Sequence, residues 1–164
     1  MLQRPCWPPR TPDGKSTIAG NLAISIAQSG KKTVLIDCDF RKPRIRKMFA
    51  VASLDAGVAG VGTIAEAVIA SGVPNLDLLT CGPRPANPAE LLTSPQFHDT
   101  LMKLRVLYEF VIIDSPPLLV VSDPAIVAPR VDGVMIVFRM TRRSARSPNA
   151  REVLATVGAN SLDG

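Results

Sequence analysis

The sequence predicts an α/β domain built on a doubly wound, mostly parallel sheet. Three observations carry that prediction. Two short apolar runs end in carboxylates, at Asp37 and Asp114; an amphipathic helical pattern precedes the first run; and strand-like and helix-like stretches alternate along the chain. A strand reached through a helix needs a right-handed crossover, which leaves neighbouring strands parallel.

The elements follow in order. Residues 1–12 hold Pro5, Pro8, Pro9 and Pro12, each lacking a backbone donor, so this segment is irregular and cannot be a central strand. From Ser16 to Ser29, Ile18, Leu22, Ala23, Ile26 and Ala27 recur at helical spacing, and Gly30 ends the helix. Thr33–Asp37 has the unbroken apolar character of a strand covered on both faces. Residues 41–62 read as loop, with a helical turn over Ile45–Phe49. Thr63 to Glu66 is a capping box that starts a helix to about Ala70, closed by Ser71 and Gly72. Leu76–Thr80 is a strand. Asn87-Pro88 and Ser94-Pro95 each place a capping side chain before a proline suited to the first helical position, and the second helix runs to Leu107. Tyr108–Asp114 is a strand stopped by Pro116 and Pro117. Ser122, Asp123 and Pro124 cap a short helix to Val131, Gly133–Met140 is a further strand, and Asn149–Val157 is a helix stopped by Gly158.

Composition narrows the function classes. The 164 residues are 46% hydrophobic and 20% charged, and no apolar run approaches the roughly 20 residues that span a bilayer. No secretory signal opens the chain, and Cys6, Cys38 and Cys81 lack metal-ligand spacing; the expected location is cytoplasmic, with reduced thiols. The net charge of +5 gathers at Arg41–Lys47 and Arg139–Arg146. With aromatic residues at 4%, stacking platforms for single strands are lacking and nucleic acid is not the expected partner. A phosphate site or an acidic lipid surface accounts for the charge equally well.

The chemistry begins at Asp13-Gly14-Lys15-Ser16-Thr17, which ends a loop and opens a helix. Consecutive backbone N–H groups at a helix start point at one anion, and a lysine beside them reaches the outer phosphates. Gly14 and Lys15 supply those parts; Ser16 is placed to give its hydroxyl to magnesium, and Thr17 to contact an inner phosphate. Asp114, after its apolar strand, is the expected magnesium partner. Asp37 and Asp39 leave a strand end two residues apart, so in extended geometry both side chains lie on one side. One would orient or deprotonate an attacking hydroxyl and the other hold a magnesium water; pairing of either with Arg41 is the alternative. His98, the single histidine, reads as structural, and Cys38 as inward packing.

Taken together, Gly14 to Thr17, Leu35-Ile36-Asp37-Cys38-Asp39-Phe40-Arg41-Lys42-Pro43, Asn87-Pro88-Ala89-Glu90-Leu91-Leu92 and Val111 to Pro117 resemble the cytoplasmic kinase domain of bacterial tyrosine kinases. The resemblance covers about residues 13 to 160. It implies a P-loop ATPase fold related to partition ATPases, with ATP and Mg2+ as cofactors and tyrosine hydroxyls of proteins as acceptors. Lys15 matches the Walker A lysine, Asp37 and Asp39 the second acidic motif, and Asp114 Walker B; Arg41 joins Asp13 to Thr17 in holding nucleotide, and Ser16, Asp39 and Asp114 serve the metal. Such domains work as homo-oligomeric rings beside a membrane-spanning co-polymerase that supports capsular or exopolysaccharide export. That places the chain at the inner face of the cell membrane.

The chain departs from the family pattern in three respects. Pro9 and Pro12 stand in the loop before Gly14, where glycines are usual, and remove two N–H donors from the phosphate nest. The strand before the loop is missing, and so is the last strand, beyond Asn160. The family's tyrosine-rich tail is also missing; Tyr108, the single tyrosine, is expected buried. The resulting expectation is an irregular segment over 1–12 followed by an incomplete kinase domain over 13–164, with nucleotide binding weakened. Two rivals are a partition- or septum-site-type ATPase switch and a non-catalytic adaptor of the export machinery. Against the first, the position of its signature lysine is occupied by Arg10.

Overall fold

The computed structural model of the chain describes residues 14–51, 57–60, 64–117 and 123–137. Helix α1 spans Lys15–Gln28 and delivers the chain to strand β1, Thr33–Asp37. The short α2, Ile45–Met48, and α3, Ile64–Ala67, come next, followed by β2, Val68–Ala70, and β3, Leu76–Leu79. Then come α4, Pro88–Thr93, α5, Pro95–Leu107, β4, Phe110–Asp114, α6, Asp123–Val127, and a 3-10 turn over Ala128–Arg130.

The described sheet has the order β2-β3-β1-β4. β1 pairs in parallel with both β3 and β4, while β2 runs antiparallel to β3. The doubly wound, mostly parallel sheet predicted from sequence is therefore present. All five residues of β1 are buried, as its unbroken apolar run requires. Alternation along β1 feeds two cores. Val34 and Ile36 meet Leu79, Leu92, Phe97, Leu101, Leu104 and Val127 on one side. Leu35 meets Ala19, Ala23, Ala27, Ile45, Leu76 and Leu78 on the other. Helices thus cover both faces.

Several elements differ from the sequence expectation. Helix α1 buries Ala19, Gly20, Ala23 and Ala27, while Ile18 and Leu22 are exposed. The small residues let the helix lie close: a Cβ on Gly20 would come within 2.9 Å of the Met48 methyl carbon. The helix begun near Thr63 ends at Ala67, and Val68 to Ala70 form a strand instead, because their backbone pairs with Leu79, Leu78 and Asp77. β-branched Val68 and Ile69 suit that pairing. Thr63 itself lies outside the described residues. The strand expected from Tyr108 starts at Phe110, because the Tyr108 N–H closes α5 on the Leu104 carbonyl.

The helix predicted to reach Val131 tightens into the 3-10 turn after Val127. Of the strand expected over Gly133–Met140, residues 133–137 hold a single bridge at Val134 rather than a ladder. The rest of that strand, the helix expected at 149–157, Ser122, and the loop with Pro9, Pro12 and Asp13 lie outside the described residues. The two proline-led helices match expectation: Asn87 and Ser94 side chains accept from the N–H groups of Glu90 and Phe97.

Candidate functional site

Because β1 and β4 are parallel neighbours, their carboxyl ends open on the same edge, and Asp37 and Asp114 face one another in register. The pairing continues one step, with Cys38 N–H donating to the Asp114 carbonyl at 2.8 Å. Helix α1 starts above this edge. Its N-cap, Gly14, has φ 87°, a left-handed conformation that glycine adopts without strain, and no side chain among the described residues caps the helix. The first turn carries no acidic residue. An uncapped N-terminus that begins with Lys15 is a strongly anion-attracting end. Lys15 and Ser16 are half-buried and Thr17 is exposed.

Asp114 is 3% exposed and its Oδ2 has no hydrogen-bond partner among the described residues. Burial pushes its carboxyl up to about 6; a hydrogen bond with the Ser16 side chain and the Lys15 charge pull it down, while Asp37 and Asp39 push it further up. The structure therefore brings Lys15, Ser16 and Asp114 together, as expected. An orphaned buried carboxylate oxygen next to a serine hydroxyl at an uncapped helix start fits a magnesium-phosphate ligand. Among the described residues no three His, Cys, Asp or Glu side chains form a metal cage.

The two aspartates at 37 and 39 differ sharply. Asp37 is fully buried, and its carboxylate accepts three backbone N–H groups: Asp39 at 3.1 Å on Oδ1, Arg44 at 3.1 Å and Ile45 at 3.1 Å on Oδ2. Burial pushes its carboxyl above the usual range against the pull of those donors. It braces the loop that leads into α2. Asp39 is half-buried, and its Oδ1 accepts from the N–H groups of Arg41 and Lys42 at 3.2 and 3.0 Å. Its Oδ2 carries none of these bonds. Asp37→Ala would orphan three donors, two of them at the start of α2; the expected loss is about 3 kcal/mol in denaturant unfolding, with Asp37→Asn losing less.

The Arg41 side chain pairs with neither of these aspartates. Its Nε lies 3.6 Å from Oδ2 of Asp123, which is 1% exposed. Sequence reading treated Asp123 only as part of a cap, and no spacing motif links it to Arg41; the signal would have been an aspartate beginning a helix directly after a strand-end carboxylate loop. His98 is exposed on α5, and Cys38 is buried as expected. Asn87 and Glu90 of the Asn-Pro-x-Glu stretch cap α4, and Glu90 also lines a groove of about 600 Å³ with Gly57–Gly60, Leu91 and Phe97.

The comparisons with known proteins agree with this geometry. Residues 13–147 match the AAA domain family. The chain is 40% identical over 149 residues to the tyrosine-protein kinase YwqD of Bacillus subtilis strain 168, covering 88% of this chain and 62% of that protein. It thus spans under two thirds of that relative's length. The crystal structure of the VpsO kinase domain superposes with a TM-score of 0.82 at 38% identity, covering 96% of this chain and 78% of the other. The septum-site-determining protein MinD of Pyrococcus horikoshii OT3, complexed with Mg-ADP, superposes with a TM-score of 0.76 at 18% identity, covering 93% and 64% respectively; this likeness concerns the fold.

Proposed function

This chain belongs to the AAA domain family and, within it, to the bacterial tyrosine-protein kinases, and from that premise we propose that it binds Mg·ATP and serves transfer of the γ-phosphate to tyrosine hydroxyls of protein partners. Residues 13–164 would form the nucleotide-binding domain. The observation that carries the reading is the Lys15, Ser16 and Asp114 constellation at the uncapped start of α1.

Bound magnesium would supply charge neutralisation between the β- and γ-phosphates. The residues would divide the remaining work. Gly14 would leave room for phosphate, since among the described residues nothing lies within 4 Å of where its Cβ would be. Lys15 would draw the outer phosphates, Thr17 would contact an inner phosphate, and Asp13 would complete the nucleotide loop. The Ser16 hydroxyl, now shared with Asp114, would turn to the metal, and Asp114 would take metal-bound water on its orphaned oxygen. Asp39 has an oxygen available to hold a metal water or to accept the proton of an incoming tyrosine. Asp37 would act on the chemistry by bracing the loop that carries Asp39 and Arg41.

Phosphoryl acceptors are proposed to come from outside the chain. Tyr108 is half-buried, donates its hydroxyl to Asp77 Oδ2 at 2.9 Å and lies under Lys32. Burial and Asp77 push its ionisation well above the ordinary value. It also sits before the amino end of β4, whereas Asp114 closes the carboxyl end. Tyr108→Phe is therefore expected to leave phosphorylation of a tyrosine peptide unchanged and to cost about 1 kcal/mol in unfolding.

The partner proposed is a membrane-spanning polysaccharide co-polymerase or activator, with the chain acting as a homo-oligomer at the inner membrane face in capsule or exopolysaccharide synthesis. Exposed Arg41, Lys42, Arg44, Arg46 and Lys47 offer a basic surface for such a setting, and no helix among the described residues is long and apolar enough to cross a membrane. Incubation with labelled ATP, magnesium and a tyrosine-containing partner tests the proposal. Phosphotyrosine supports it, phosphate release alone favours an ATPase switch, and neither product favours an adaptor.

A further inference from the structure

Asp123 is a poor stabilising contact by every physical measure. It opens α6, and its carboxylate lies beside Arg41 on the loop that leaves β1. It is 1% exposed, and neither carboxylate oxygen has a hydrogen-bond partner among the described residues. A carboxylate that served as a helix cap would accept a backbone N–H of its own helix, and this one accepts none. The Arg41 guanidinium is 3.6 Å away through Nε, longer than a hydrogen bond, on a side chain that is 48% exposed. Stripping water from a carboxylate costs several kcal/mol, which one half-exposed cation offsets only in part. Asp123 also belongs electrostatically to the site, since its charge, with those of Asp37 and Asp114, acts on the buried Cys38 thiol.

Arg41 is the natural reason for keeping such a group. It follows Asp39 on the loop braced by Asp37, at the carboxyl end of β1. A guanidinium can be held at its Nε side and still present both Nη groups elsewhere, which a lysine ammonium cannot do. We propose that Asp123 is a positioning residue for the nucleotide site: its carboxylate, 3.6 Å from Nε, draws the Arg41 guanidinium electrostatically from that side, so that the Nη groups are aimed at the phosphates of a bound nucleoside triphosphate. The inference rests on the Mg·ATP reading of the site. It adds a residue whose influence passes through Arg41 rather than through contact with nucleotide.

The test is a calorimetric titration of the full chain with Mg·ATP, using the parent, Asp123→Asn, Arg41→Ala, Arg41→Lys and the double variant Asp123→Asn with Arg41→Ala. Thermal unfolding is recorded for each. Asp123→Asn and Arg41→Ala are each expected to weaken binding about tenfold, Arg41→Lys nearly as much, and the double variant no more than Arg41→Ala alone. The unfolding midpoint of Asp123→Asn should not fall, because a desolvated charge has been removed. Parent-like affinity of Asp123→Asn, or losses that multiply in the double variant, overturns the positioning role while leaving nucleotide binding intact. A parent that binds no Mg·ATP overturns the functional reading itself and the positioning role with it. If Asp123→Asn does not fold, phenylglyoxal labelling of the parent decides. Slower reaction at Arg41 than at its exposed neighbours Arg44, at the N-cap of α2, and Arg46, within it, supports the pairing, and equal rates overturn it.

Discussion

Lys15→Ala is expected to weaken Mg·ATP binding by about 100-fold, with a correspondingly large loss of any phosphoryl transfer, while the unfolding transition stays within about 1 kcal/mol of the parent. The expectation follows from where the charge sits. Lys15 is the first residue of α1, where the helix carries no side-chain cap among the described residues and no acidic first-turn residue. A triphosphate at that place meets the helix N-terminus and one ammonium together, and the ammonium is the part that alanine removes. Alanine is also the best helix former, so the backbone tolerates the change. Calorimetry with and without magnesium, beside a denaturant melt, checks both halves. Parent-like affinity in the variant would count against the whole phosphate-site reading.

Asp114→Asn should separate stability from activity. In the metal-free protein the Asp114 carboxyl, 3% exposed, titrates at about 6, against an ordinary value of about 3.9 in an unfolded chain. The folded state therefore holds the proton more tightly. That contribution to stability is fully present below about pH 4 and is lost as pH rises through about 6. At pH 8 the ionised carboxylate is a burden of order 3 kcal/mol, which asparagine does not carry. The variant is thus expected to be more stable than the parent at pH 8, with the difference shrinking towards pH 4. Magnesium-dependent transfer should fall at least about 100-fold. Unfolding curves in chelator across this pH range, followed by turnover with magnesium, provide the check; a destabilised variant at pH 8 would contradict the assignment of burial as the main cause of the shift.

The fold was legible where local chemistry and tertiary environment agree. Thr33–Asp37, buried throughout, and Phe110–Asp114, which is exposed at Phe110 and half-buried up to Asp114, are both short apolar runs in an α/β alternation, where a parallel strand is the natural outcome. The caps at Asn87 and Ser94 act within a few residues, so sequence alone reveals them. Val68 to Ala70 went the other way. Their helical start signal was genuine over Ile64–Ala67, but pairing with β3 is a non-local gain that no window of sequence contains. Helix α1 shows a subtler limit. Of the apolar stripe Ile18, Leu22, Ala23, Ile26 and Ala27, the sheet buries the small Ala23 and Ala27 together with Ala19 and Gly20, while the larger Ile18 and Leu22 stay exposed.

The site divides along the same line. Lys15, Ser16 and Asp114 were identifiable because each sits at an element end whose geometry sequence predicts. That Asp37 would spend its carboxylate on the N–H groups of residues 39, 44 and 45 depended on how the loop folds back, which spacing does not encode. The pairing of Arg41 with Asp123 joins segments far apart in the chain and was equally invisible.

The brace at Asp37 changes how loss-of-function scans of this chain should be read. A substitution there is expected to disturb the proposed site whether or not the carboxylate ever meets a reactant, since Asp39 and Arg41 hang from the loop it fastens. Inactivity of an Asp37 variant is therefore ambiguous until it is divided by the fraction of molecules still folded. At Asp39, whose own bonds reach only the next turn of the loop, the same measurement speaks directly to chemistry. Two aspartates separated by a single residue thus demand different controls.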